Sequence, residues 1–116
     1  MSVRVLIIDD QNDFRRLLAH HVSTGFDSPS IAEYDPAARG RLPLDFSGSA
    51  YDAVLLGDTP GSGDGLSWLR DLSRRNGFPP IIYLLSDPTA EAEEAAVAAG
   101  ARATLSSRKI AHVSLI

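Results

Sequence analysis

The strongest constraint in this chain is a recurrence: short aliphatic runs, each followed by a segment of helical periodicity. The first run, "VRVLII" at residues 3–8, is rich in β-branched and aliphatic residues and suits a strand buried on both faces, as in a parallel sheet. After it, Asn12 or Asp13 is placed to cap a helix in which Phe14, Leu17, Leu18 and Val22 recur at helical spacing. Arg15, Arg16 and His20 fall on its other faces, and the pattern stops near Gly25.

The same alternation continues to the end of the chain. A weaker strand is expected around residues 30–34, followed by "DPAARGRLPLDFSGSA", whose glycines and prolines leave room only for a short helix near Ala37. "YDAVLLG" reads as the next buried strand, and Leu66, Trp68, Leu69 and Leu72 mark a helix ending near Asn76 and Gly77. "PPIIYLLS" is a fourth strand. An alanine-rich helix from Thr89 to Ala99 carries Glu91, Glu93 and Glu94 near its start, where the helix dipole favours anions, and stops at Gly100. "ARATLSS" is a fifth strand. The expected architecture is a single α/β domain over residues 1–116, a doubly wound parallel sheet whose ligand site lies at the carboxyl ends of its strands. The final "KIAHVSLI" begins an apolar-periodic helix that breaks off, so this last helix is expected to be truncated and more protein to follow in the natural chain.

Composition excludes several classes of function. Net charge is −4 and the basic residues are scattered, without the basic and aromatic stripe that tracks a phosphate backbone, so direct nucleic-acid binding is not expected. There is no cysteine, hence no disulfide framework, thiolate metal site or cysteine nucleophile. The opening "MSVRVLIIDD" is too short and too acidic at its end for a signal peptide or membrane span, and a cytoplasmic protein is expected.

Three strand ends would meet at one edge of such a sheet, bringing Asp9 and Asp10, Gly57 and Asp58, and Leu85 and Ser86 together. Adjacent carboxylates repel one another and gain from a hard cation, so an oxygen-ligated Mg²⁺ site is one reading of the acidic pair. The plainer alternative is that one acid caps the following helix and the other is solvated. The surrounding pattern of elements favours the pocket.

The whole chain resembles the receiver domain of bacterial two-component response regulators. "VLIIDD" looks like the family's first strand and acidic pair, "YDAVLL" through "DGLSWLR" like its third strand, loop and third helix, "PPIIYLLS" like its fourth strand, and "AVAAGARATL" like the end of its fourth helix and its fifth strand. The resemblance implies a flavodoxin-like five-stranded parallel sheet in the order 2-1-3-4-5. It also implies a phosphoryl group received from a histidine kinase by an aspartate ending the third strand, with Mg²⁺ held by the acidic pair, that aspartate and a loop carbonyl. A hydroxyl residue after the fourth strand and a lysine after the fifth would contact the phosphoryl oxygens.

Only the acidic pair, Asp9 and Asp10, matches this pattern. The family's spacing places the acceptor at Gly57, the hydroxyl residue at Leu85, the aromatic switch residue at Thr104 and the lysine at Ser107. Asp58, Ser86 and Arg108 or Lys109 stand within one or two residues of the vacated positions. A slip of one in a strand turns a side chain to the other face unless the backbone bulges, which the glycines of "GDTPGSGDG" permit. Asp58 therefore stays open as a substitute acceptor or metal ligand. Without the acceptor the pocket should hold Mg²⁺ weakly at best, and no cofactor is required.

The remaining polar features support no catalysis. His20, His21 and His112 lack a second ligand at metal spacing, Trp68 reads as a partly buried packing residue, and "GSGDG" lacks the lysine of a nucleotide-binding loop. Residues Ser106 to Lys109 read as a polar entry to the last helix, with Ser107 as its cap, ahead of a small anion site. The expected function is that of an atypical, phosphorylation-independent receiver, a non-enzymatic module binding an output domain of its own chain, another signalling protein, or a second copy through the fourth helix, fifth strand and fifth helix. The alternatives are a phosphorylatable receiver using Asp58 with Mg²⁺, and a small-molecule sensor using the room left at Gly57. The sequence does not specify the interaction face or a kinase.

Overall fold

A computed structural model describes residues 3–26, 28–43, 45–46, 48–58 and 64–107. Strands and helices alternate as β1 (Arg4–Ile8), α1 (Asn12–Gly25), β2 (Ser30–Tyr34), α2 (Pro36–Arg39), β3 (Ala53–Gly57), α3 (Gly65–Arg74), β4 (Ile81–Leu85), α4 (Ala90–Ala99) and β5 (Ala103–Ser106), with a 3-10 turn at Gly48–Ala50. The strands form one parallel sheet in the order β2-β1-β3-β4-β5. In its register Ile8 pairs with both Tyr34 and Leu56, Gly57 with Leu84, and Leu85 with Ser106, so the carboxyl ends of the strands finish along one edge.

Period-two alternation sorts the strand residues onto two cores. Leu6, Ile8, Val54, Leu56, Tyr83 and Leu85 face α3 and α4, where Trp68, Leu69, Leu72, Ala96 and Ala99 meet them. Val5, Ile7, Leu55 and Leu84 face α1 through Leu18. Burial on both faces is why the runs read as almost continuously apolar. Alongside α1 an apolar groove of about 330 Å³ runs over Leu55, Ile82, Leu84 and Leu105.

Helix boundaries follow from capping chemistry. Asp64 accepts from the Leu66 amide at 3.0 Å to start α3, and Thr89 accepts from the Ala92 amide at 3.0 Å to start α4. Gly100 ends α4 at φ 120°, a left-handed conformation that favours glycine. At α1 the expectation of a cap from Asn12 or Asp13 is corrected. The cap position is Gln11, with no side-chain cap bond, and Asn12 instead accepts from Arg15.

The segment that resisted a helical reading forms one helical turn, α2, and ends in the 3-10 turn at Gly48–Ala50. Leu42 inserts into the core between them at 3% exposure. Arg75, the C-cap residue after α3, donates to the carbonyls of Leu42 at 3.0 Å and Pro43 at 2.8 Å. Arg41 lies 5.3 Å over the ring of Trp68, the expected packing residue, which is more fully buried than expected, at 4% exposure. The last helix, together with Arg108, Lys109 and His112, lies outside the described residues.

Candidate functional site at the carboxyl ends of the strands

Asp9 follows the last residue of β1 and is 9% exposed. Its Oδ1 accepts from the Gln11 amide at 2.8 Å. Its Oδ2 lies against Gly57, where a Cβ would overlap that oxygen and stand 3.2 Å from Asp9 Cγ. The room expected at Gly57 is therefore taken, because without a side chain on β3 the neighbouring carboxylate folds into the gap. Burial pushes the Asp9 carboxyl above its ordinary range; the Gln11 amide and Arg15 oppose that rise, and the charges of Asp10 and Asp58 add to it.

Arg15, which falls off the apolar face of α1 in the helical pattern, is buried at 8% exposure. Its Nη1 donates to the Asp9 carbonyl at 2.6 Å and lies 3.8 Å from Asp35 Oδ2, its Nε donates to Glu33 at 3.2 Å, and its Nη2 donates to Asn12. The helical pattern could not reveal this, since the acids that draw the guanidinium inward come from β2 and the residue after it. A planar fork with several donors can satisfy partners on three sides at once.

Asp58 leaves β3 just after Gly57, and strand parity argued that it would turn away from the pocket. Its Oδ2 accepts from both the amide and the hydroxyl of Ser86, each at 2.9 Å, so its side chain reaches across to the end of β4. Behind it, α3 starts so close that a Cβ on Gly65 would overlap the Asp58 carbonyl oxygen and the Tyr83 hydroxyl. Burial, together with the charges of Asp58 and Asp64, pushes the Tyr83 hydroxyl well above its ordinary range. Sequence reading passed over Tyr83, whose alternation with Leu85 marks it only as core.

The other positions at which the resemblance implied switch residues are Leu85, Thr104 and Ser107. Leu85 is core at 5% exposure. Thr104 is half-buried on β5, and Ser107 donates to the Leu85 carbonyl at 3.2 Å, tying the end of β5 to β4. His20 and His21 meet edge to face, with ring centroids 6.5 Å apart.

A carboxylate-held Mg²⁺ is what the fold would lead one to look for. Among the described residues no three acidic, histidine or cysteine side chains converge to hold a metal ion. Asp9 is turned toward Gly57 and Asp58 toward Ser86, with half-buried Asp10 next to Asp9 in the chain. A hard cation needs several oxygens around one point, and this donor set as arranged does not fit it.

No family model and no curated protein matches the chain in sequence. Solved structures do match in shape. The signal receiver domain of a DNA-binding response regulator (merR) from Colwellia psychrerythraea superposes with a TM-score of 0.73 at 20% identity, covering 99% of this chain and 100% of that one. The BeF3-activated N-terminal receiver domain of RstA from Klebsiella pneumoniae gives 0.74 at 19% identity, covering 97% and 96%. A Burkholderia pseudomallei response regulator with a phosphorylated aspartic acid, a calcium ion and citrate gives 0.72 at 20% identity, covering 90% of this chain and 59% of that one. With the strand order β2-β1-β3-β4-β5, this chain has the fold of the response-regulator receiver domains.

Proposed function

We propose that this domain is an atypical receiver in two-component signal transduction that works as a phosphorylation-independent interaction module in the cytoplasm. The observation that carries this reading is the state of the acceptor position: Gly57 has no carboxylate, and the Asp9 carboxylate lies in the space a side chain there would use. The hydroxyl and lysine positions, Leu85 and Ser107, are committed to the core and to a backbone contact. Such a domain signals through the partner it holds, an output domain of its own chain, another signalling protein or a second copy, and needs neither an enzymatic activity nor a cofactor. No helix among the described residues is long and apolar enough to cross a membrane.

One observation favours a second reading. Asp58 sits beside the Ser86 hydroxyl at the ends of β3 and β4, a placement that suits an aspartyl phosphate steadied by a serine. The two readings separate by intact mass after incubation with acetyl phosphate and Mg²⁺. The first expects no adduct. A stoichiometric adduct abolished in Asp58→Asn would establish the second.

A further inference from the structure

We infer that the Asp9 carboxylate closes this pocket to divalent cations by filling the side-chain space of Gly57, so that loss of the acceptor and loss of the cation site are one coupled change. The inference deepens the proposed function and rests on reading Gly57 as the acceptor position. A glycine at the end of β3 leaves a gap at its side-chain position, and the Asp9 carboxylate occupies it. In that position Oδ1 is held by the Gln11 amide and Oδ2 is held against β3. The Asp9 carbonyl is also engaged, by Arg15 Nη1 at 2.6 Å. Arg15 thus sets a fixed cation beside Asp9, where it offsets charge that a metal would otherwise balance and repels a second cation. Asp58 is turned to the end of β4, where Ser86 donates twice to its Oδ2.

The coupling predicts how the pocket reopens. A Cβ at residue 57 meets the flexible end of Asp9 first, and the Ile8 carbonyl oxygen only after it, at 3.6 Å. A substitution there therefore displaces the carboxylate toward Asp10 instead of straining the sheet, and two carboxylates side by side form the start of an oxygen-ligated site.

The test is a titration with Mg²⁺ alone, followed by amide chemical shifts of residues 9 to 12 and by calorimetry, on the wild-type protein, Gly57→Ala and Gly57→Asp. The wild type is expected to show no saturable change, and both variants to bind at least tenfold more tightly, Gly57→Asp the more so. Saturable wild-type binding abolished by Asp9→Asn would overturn the inference, as would folded Gly57 variants that gain nothing. The wild-type titration decides the matter even where a variant fails to fold. No phosphodonor is present, so a failure here is separate from labelling at Asp58, which would instead overturn the proposed function.

Discussion

Asp58 and Ser86 join two loops through a single oxygen: Asp58 Oδ2 accepts at 2.9 Å from both the amide and the hydroxyl of Ser86. The bond spans the ends of β3 and β4, so it holds the approach to α4 in place while the pocket is unmodified. Charge-assisted bonds of this kind are stronger than neutral ones, although Ser86 is exposed and water competes for it. Asp58→Ala should destabilise the domain by about 1 kcal/mol in urea unfolding. It should also speed hydrogen exchange at the Ser86 amide. Ser86→Ala keeps the amide bond and should cost less.

The buried guanidinium of Arg15 makes a larger prediction. Arg15→Met removes the donor to the Asp9 carbonyl and leaves Glu33 and Asp35 facing the acidic pocket without their cation. Glu33 is 42% exposed along its side chain, and this solvent access moderates the loss. Chemical denaturation should show a loss of about 2 kcal/mol. Lysine cannot reproduce the fork, so Arg15→Lys should recover less than half of it.

Asp9 gives the site a pH dependence of definite sign. Its folded-state value is raised, chiefly by burial, so its contribution favours folding below the ordinary carboxylate value of about 4 and is lost as pH rises through the higher folded value. Asp9→Asn keeps an oxygen for the Gln11 amide and removes the buried charge. The variant should be more stable than the wild type at pH 7, and the gap should close as unfolding is followed down toward pH 4.

Two glycines should respond in opposite ways to alanine. At Gly65 a Cβ would overlap the Tyr83 hydroxyl and stand 2.7 Å from the Asp58 carbonyl carbon, so Gly65→Ala must push α3 away from β3 and should cost about 1–3 kcal/mol. At Gly25, the last residue of α1, nothing lies within 4 Å, and Gly25→Ala should be neutral or stabilising by up to about 1 kcal/mol. Thermal unfolding of the pair distinguishes a close approach of backbone from a mere helix end.

Much of the fold was legible because it depends on local pattern. The runs at β1, β3 and β4 are apolar on both faces, and Thr89 and Gly100 bracket α4 with standard cap chemistry. The acidic pair, the glycine at the end of β3 and the receiver architecture followed from order and spacing. The contacts within the site did not, because they join residues far apart in the chain. Arg15 is drawn inward by Glu33 and Asp35, Asp58 turns to Ser86 as the chain leaves the strand, and Asp9 moves into a gap that a glycine merely permits. Periodicity assigns a residue to a face, but such choices are made by partners across the sheet.

The central claim is that this receiver fold holds its working conformation without an acyl phosphate. The most direct measurement is a comparison of amide spectra with and without beryllofluoride and Mg²⁺, which together imitate a phosphorylated aspartate. The account predicts superimposable spectra, with Asp58, Ser86 and Ser107 unmoved. Saturable shifts at those residues that disappear in Asp58→Asn would contradict it and make Asp58 the acceptor.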